Sequence, residues 1–323
     1  MGNAKKRSGS VASMLPVLLA CSFTASFGQS MMNVALPELA ERFGVTLSIA
    51  NWVIVGYMVV AATAIMLSAF MLRRLGLRRV FFVGAGALAL GSACALLSQD
   101  FPMLFASRLV QAVGTGLFFP SVTSVIMTNS PAAVRGTRLA LNSGVIAVGL
   151  AISPTASGFA LTQFGWRAMF VVSLAMSVAL LAVGFFRIHG GPSTKRVPID
   201  ALSVMLGPLG LAAFLYGLGE VTRDLAPSLA ALAVGAVLLA LFAWRQFALE
   251  SPLLDLHPLV HPRFAVGILL VMVGMLTSFS MSILLPLYYE GALGYTAFFA
   301  GLLLLGPVLV NAAFTFLGVR VFD

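Results

Sequence analysis

The sequence contains very little charge, and this scarcity excludes a soluble protein. Charged residues make up 9% of the 323 positions, whereas hydrophobic residues make up 60% and the mean hydropathy is +1.04. Soluble domains carry about a quarter charged residues, so this chain cannot cover a water-facing surface. Its apolar runs are continuous rather than alternating, which is typical of membrane-spanning helices and not of a membrane barrel. We therefore expect an all-α polytopic membrane protein.

Cysteine and histidine are too scarce to suggest a catalytic or metal centre. The two cysteines, Cys21 and Cys94, both lie in apolar runs and support neither a disulfide nor a metal site. His257 and His261 are four residues apart, but a proline follows each, so no helix holds both on one face. No nucleophile–base pair is recognisable, and the loops are too short for a catalytic domain. We expect no enzyme, no catalytic residue, no metal and no cofactor.

Ten apolar segments are long enough to cross a membrane, which takes about 20 residues. Small residues, including 31 glycines, would let such helices pack closely. The predicted spans are 15–36, 52–72, 80–97, 102–127, 139–161, 168–186, 202–218, 227–247, 264–288 and 298–319.

The basic residues indicate an orientation rather than a nucleic-acid partner, because they are spread over short loops instead of one polar surface. With the N-terminus in the cytoplasm, about fifteen Lys and Arg lie on the inner side and three on the outer side. Four of the inner ones, Arg73, Arg74, Arg78 and Arg79, form the turn between the second and third spans. We expect a multi-pass protein of the cell membrane with a cytoplasmic N-terminus.

The N-terminus admits a second interpretation. Lys5, Lys6 and Arg7 precede an apolar run containing Leu18-Leu19-Ala20-Cys21, which is similar to a lipoprotein signal peptide. We favour a first span instead, because the apolar run continues past Cys21 and the charge bias requires this helix.

Six stretches together resemble the major facilitator superfamily, and more narrowly its fourteen-span drug:proton antiporter branch, including relatives of the lincomycin-resistance type. No single stretch is specific, but their order and their depth in the predicted spans match the family. They are MMNVALPEL (31–39), LRRLGLRR (72–79), RLVQAVGTGLFFP (108–120), SPTASG (153–158), FGWRAMF (164–170) and SPLLDLHPL (251–259).

The resemblance implies a fold and a function. Residues 1–188 would form a complete N-terminal six-helix bundle, residues 189–263 a linker with two extra membrane helices, and residues 264–323 an incomplete C-terminal bundle. The loop HGGPSTKRVP (189–198) marks the first boundary. The implied activity is efflux of a lipophilic or cationic small molecule, with protons as a coupling ion by resemblance only. Membrane lipid would surround the protein, which would be a monomer if complete.

Arg108 is the strongest candidate site residue, since it is the one charge well inside a span and such residues are usually functional. The alternative is that it snorkels to the outer surface. Gln111 lies one turn further along the same side. Weaker cavity candidates, for which ordinary packing is the alternative, are Asn33, Gln29, Trp52 and Tyr57.

The resemblance also assigns gating roles, for which helix packing is again the alternative. Pro154 and Gly158 share a helix face, where they would produce a bend and a close helix contact. The complete set is Gly76, Arg78, Arg79, Gly114, Gly116, Pro154, Ser157 and Gly158.

Three departures from the family pattern leave the function open. Gly28 and Arg73 stand where the branch carries aspartates, and no acid lies at mid-depth in a span. Fourteen spans of about 30 residues each would need more than about 400 residues, and Gly318–Asp323 resembles the start of a second cytoplasmic loop. The alternatives to a coupled exporter are therefore a truncated or non-functional fragment, or an uncoupled facilitator.

Overall fold

The computed structural model describes residues 2–188, 200–221, 224–249, 252–289 and 293–294, with residues 303, 306 and 310. Its regular elements are all helical within these residues. Short 3₁₀ helices occupy Met31–Val34 and His257–Val260. The α-helices are α1 (Gly2–Ser30), α2 (Leu36–Phe43), α3 (Leu47–Leu75), α4 (Leu77–Leu96), α5 (Phe101–Asn129), α6 (Ala132–Phe164), α7 (Arg167–Arg187), α8 (Ala201–Glu220), α9 (Leu225–Ala248) and α10 (Pro262–Leu287).

These helices confirm the all-α polytopic prediction. Seven of them, α3 to α9, are long and apolar enough to cross a membrane. Shorter apolar stretches lie in α1 (Met14–Ser30) and α10 (Pro262–Thr277). The predicted tenth span, 298–319, lies outside the described residues except at three positions, and so do the loop 189–198 and the stretch 318–323.

The first predicted span is wrong beyond Ser30. There the helix gives way to the 3₁₀ turn, and Leu36 begins the separate helix α2. Pro37 lies in the first turn of α2, a position that needs no backbone donor. Leu39 of α2 is fully buried, and Gly44 ends the helix in the left-handed conformation, with a φ of 62°.

The helices α1 and α3 to α7 pack together as a six-helix bundle. Helix α5 is central and contacts α1, α3 and α4, while α1 also packs against α6 and α7. Glycines permit the closest contacts: a methyl group at Gly114 would lie 2.5 Å from the carbonyl oxygen of Gly84 on α4. A methyl group at Gly116 would meet the carbonyl oxygen of Ala61 and, at 2.5 Å, the Cβ of Ala64 on α3. Both glycines are therefore packing residues, as small residues commonly are between membrane helices.

The two largest apolar clusters of the bundle lie one towards each end. The cluster at the arginine-rich end includes Cys21, Ala25, Leu88, Phe118 and Leu180. The cluster at the other end includes Phe27, Ala95, Leu104, Met169 and Phe170. On α4, α5 and α7 the buried members of the two clusters are about two to four turns apart, whereas on α1 they nearly meet. Polar side chains lie in the gap on α4, α5 and α7.

Helices α8 and α9 form a hairpin that packs on α3. At one end Arg245 donates from Nε and Nη2 to the two carboxylate oxygens of Asp200, at 2.7 and 2.8 Å. These hydrogen bonds hold the pKa of the Asp200 carboxyl well below its usual range. The side chain of Gln246, which is fully buried, donates to Ser203 and accepts from the backbone N–H of Leu253. The loop that follows α9 is thereby tied to the start of α8.

The described residues after Leu254 pack more loosely. The Nδ1 atom of His257 lies 3.0 Å from the carboxylate of Asp255, while His261 immediately precedes α10. None of the described side chains of α10 is buried.

Candidate functional site

Arg108 of α5 is fully buried among the helices of the six-helix bundle. Its Nη1 atom donates to the carbonyl oxygen of Gly28 on α1 at 3.1 Å and to Oε1 of Gln111 at 2.6 Å. The structure therefore contradicts the snorkelling alternative, because the guanidinium is held by protein groups and has no exposed surface. Gln111, which the sequence places one turn further along the same side of the helix, is its hydrogen-bond partner; the role of both residues in a substrate site stays a prediction.

A chain of hydrogen bonds continues from Gln111 across two further helices. The Nε2 atom of Gln111 donates to Oγ of Ser92 on α4 at 2.7 Å. Ser92 in turn lies 3.0 Å from Oγ of Ser173 on α7. Gln111, Ser92 and Ser173 are each at most 1% exposed. These residues, together with Arg108, form a polar layer between the two apolar clusters.

Tyr57 of α3 covers one face of the arginine. The centre of its ring lies 4.1 Å from Cζ of Arg108, which is a cation–π contact in a desolvated setting. The Tyr57 hydroxyl shares a hydrogen bond of 2.6 Å with Thr115 of α5. Tyr57 is thus a direct neighbour of the buried charge, and its role in a substrate cavity stays a prediction.

The positive charge of Arg108 has no acidic partner inside the bundle. Helices α1 and α3 to α7 contain no aspartate or glutamate. Among the described residues, Nε and Nη2 of Arg108 are buried and have no hydrogen-bond acceptor. The two nitrogens form one edge of the guanidinium, so a complete edge suited to a carboxylate is left unpaired.

The remaining cavity candidates lie away from these contacts. Trp52 is half-buried and stacks on Tyr216 of α8, with ring centres 5.8 Å apart. Asn33 lies in the 3₁₀ turn after α1, where its side chain is exposed, and Gln29 is half-buried near the end of α1. Their roles in a cavity stay predictions.

The arginine turn between α3 and α4 depends on Gly76. This residue has a φ of 79° and a ψ of 162°, a conformation that is essentially confined to glycine. Arg78 lies over the rings of Phe82 and Phe185, each at 6.0 Å, and Arg79 is exposed.

The SPTASG stretch of α6 does not make the close helix contact that was expected at Gly158. Among the described residues, nothing lies within 4 Å of a methyl group placed at Gly158. The close approach of α6 to α1 occurs instead at Gly149, where a methyl group would meet Ser26. Pro154 is half-buried; Ser157 is buried and its hydroxyl has no partner within the described part of the chain.

Sequence reasoning missed Ser92 and Ser173, which complete the polar layer, and Thr115, which shares a hydrogen bond with Tyr57. Serine and threonine are common in apolar membrane helices, so their side chains alone gave no signal. Ser173 and Ser177, four residues apart and both buried, were a weak indication that α7 carries a small polar stripe towards the bundle.

The model of the family described as Major Facilitator Superfamily matches residues 18–323. The chain is 31% identical over 315 residues to the lincomycin resistance protein LmrB of Bacillus subtilis, covering 96% of this chain and 66% of that protein. It is 29% identical to the methylenomycin A resistance protein of Streptomyces coelicolor, covering 87% of this chain and 60% of that protein. It is 27% identical to the multidrug export protein EmrB of Escherichia coli, covering 90% and 57%. The chain thus spans between about half and two thirds of the length of these relatives.

Solved structures show the same fold. The proton:xylose symporter XylE superposes with a TM-score of 0.59 at 17% identity, over 98% of this chain and 70% of that chain. A peptide transporter, POT, superposes with a TM-score of 0.57 at 16% identity, over 95% and 68%. At these identities the likeness concerns the fold alone.

Proposed function

Because the chain belongs to the Major Facilitator Superfamily, a family of transporters and not of enzymes, we propose that it carries the substrate-binding bundle of a small-molecule exporter. It is a multi-pass membrane protein. The relatives named for drug resistance and multidrug export support drugs or other amphipathic molecules as the class of substrate.

The observation that carries this proposal is the fully buried Arg108 with one unpaired edge. An unpaired buried charge costs several kcal/mol, so a structure retains it where a ligand or a moving partner uses it. The polar layer holds the arginine between two apolar clusters. Such a group can organise the polar part of a molecule whose remainder is apolar.

The coupling ion is a separate part of the proposal. Proton exchange is the family expectation, but coupling within the membrane requires a group that changes its charge there. Since α1 and α3 to α7 contain no carboxyl group, an uncoupled facilitator is the second candidate. A pH gradient that fails to drive substrate uptake into inside-out vesicles would favour this second candidate.

We propose that the protein lies in the cell membrane, with its N-terminus and the arginine turn on the cytoplasmic side. Arg73 lies near the end of α3, Arg138 near the start of α6 and Arg187 at the end of α7. Successive spans run in opposite directions, so these positions belong to one end of the bundle. Positive charge concentrates on the cytoplasmic side of membrane proteins, which supports this choice.

Accumulation of three drugs in cells tests the transport proposal. Ethidium, lincomycin and norfloxacin differ in charge, and cells that express the chain should retain less of at least one of them than cells with the empty vector. Arg108→Ala should restore accumulation to the level of the empty vector, because it removes the centre of the polar layer.

Arg42→Ala is the matched control, since Arg42 is exposed on α2 and lies outside the bundle. This variant should export as the parent does. If all three drugs accumulate as in vector cells although the chain is present in the membrane, the proposal is wrong.

A further inference from the structure

We propose that the unpaired edge of Arg108 binds a carboxylate of the transported molecule, so that the preferred substrates are amphipathic acids and zwitterions rather than simple cations. This inference rests on the transport function proposed above and names the substrate class for the same site. It replaces the cationic preference expected from the family resemblance.

The first argument is a comparison of two arginines within this structure. Arg245 uses Nε and Nη2 to donate to both carboxylate oxygens of Asp200, at 2.7 and 2.8 Å. In Arg108 the same two nitrogens are buried and have no acceptor among the described residues. A planar edge with two parallel N–H donors matches the two oxygens of a carboxylate, and this is the geometry that makes arginine selective for such groups.

The second argument is the balance of charge. Among the described residues, Arg108 is contacted by the carbonyl of Gly28, the amide of Gln111 and the ring of Tyr57, all of which are neutral. No acid is present in α1 or in α3 to α7. A cationic molecule in this bundle would meet repulsion from a charge of the same sign, whereas a carboxylate would neutralise it.

The third argument is the space beside Gly28. In the described part of the chain, the one atom within 4 Å of a methyl group placed at Gly28 is the Tyr57 hydroxyl oxygen, at 3.9 Å. The backbone next to the arginine is therefore not filled by a side chain. The first atom of a side chain added at Gly28 thus meets no clash with the described residues, and this is the first requirement for placing an acidic group there.

Gly28→Asp tests the inference by supplying the carboxylate within the chain, and Gly28→Asn is the matched uncharged control. Purified protein is heated in detergent with norfloxacin, which carries a carboxylate, or with its methyl ester, which does not. Norfloxacin, at a concentration well above its dissociation constant, should raise the melting temperature of the parent by roughly a few degrees. The ester should leave the melting temperature unchanged.

Gly28→Asp should melt at a higher temperature than the parent without ligand and should lose norfloxacin binding by about tenfold or more. Gly28→Asn should retain the difference between norfloxacin and its ester. Equal stabilisation by the two compounds, or unchanged binding in both Gly28→Asp and Arg108→Gln, would overturn the inference.

Sodium chloride at the same concentration forms the inorganic arm. Stabilisation by chloride that equals that by norfloxacin would mean that the site holds an inorganic anion, and it would also overturn the inference. If norfloxacin fails to bind while ethidium is still exported in an Arg108-dependent manner, the substrate class is wrong and the transport function stands. If no drug is bound or exported, the transport function itself fails.

Discussion

Arg108 remains in the bundle because neutral groups offset part of the cost of burying it. Burial of a charge in a protein interior costs several kcal/mol. Each hydrogen bond from a charged donor returns roughly 1.5–3 kcal/mol, and a desolvated cation–π contact about 2 kcal/mol. Two hydrogen bonds and the Tyr57 ring thus contribute an energy of the same order as the cost. The unpaired Nε and Nη2 atoms leave part of the desolvation penalty uncompensated, and a ligand that accepts hydrogen bonds from them would compensate it.

A substitution at Gly76 tests whether the arginine turn requires a glycine at this position. Gly76→Ala forces a side chain into a backbone conformation with a φ of 79°, which costs about 1–3 kcal/mol. We expect a clearly lower melting temperature in detergent. Gly86→Ala is the control, because Gly86 is helical and the described residues leave open space around it. A melting temperature for Gly76→Ala equal to that of Gly86→Ala would show that the turn is not held by this glycine.

The sequence singled out Arg108, Gln111 and Tyr57 because each has a distinctive side chain inside an apolar run. The structure places Gln111 and Tyr57 against Arg108, and their role in transport stays a prediction. It could not show that Trp52 packs on Tyr216 or that Asn33 is exposed, since these contacts depend on where α1 ends and where α8 lies. Gly158 was expected at a close contact that Gly149 makes instead. A glycine in a helix shows that a side chain is missing at that position, but the sequence does not show which neighbouring helix packs there.

The close packing of helices α3 and α5 depends on small residues at their contact. A methyl group at Gly116 meets the backbone of α3 at Ala61, which cannot move as a flexible side chain can. Gly116→Ala should therefore separate the two helices and cost at least about 1–3 kcal/mol, seen as a lower melting temperature and reduced amounts in the membrane.

Gly144→Ala on α6 is the control for this prediction, because the described residues place nothing within 4 Å of the added methyl group. Its melting temperature should stay close to that of the parent. A tolerant Gly116→Ala variant would mean that α3 and α5 do not pack as closely as the structure places them.

Element boundaries followed the sequence wherever a polar or charged loop separated two apolar runs. The end of α1 was missed because MMNVALP remains apolar while the backbone leaves the helix. The decisive feature is Pro37 at the start of α2, which suits the first turn of a new helix but not the interior of a long one.

The whole molecule was predictable as a helical membrane protein from composition alone, and its six-helix packing from the family motifs. The polar layer was not predictable, because it joins residues of α4, α5 and α7, and because the groups of α1 and α3 that contact Arg108 are also far away in the chain. The division of the chain at residues 188 and 263 stays a prediction.

Orientation in the membrane gives a prediction at the scale of the molecule. A cysteine introduced in place of the exposed Arg79 should react with a membrane-impermeant maleimide only after cells are opened, whereas one introduced in place of the exposed Gln163, at the end of α6, should react in intact cells. The native Cys21 and Cys94 are replaced by alanine first. The reverse pattern of labelling would contradict the proposed cytoplasmic position of the arginine turn.

Transport by the purified chain in lipid vesicles tests the central claim most directly. Norfloxacin movement should be measured for the parent, for Arg108→Ala and for Arg42→Ala, with equal amounts of each protein in the vesicles. We expect transport by the parent and by Arg42→Ala, and a reduction to the rate of protein-free vesicles for Arg108→Ala. Equal transport by all three proteins would contradict the assignment of Arg108 as the centre of the substrate site.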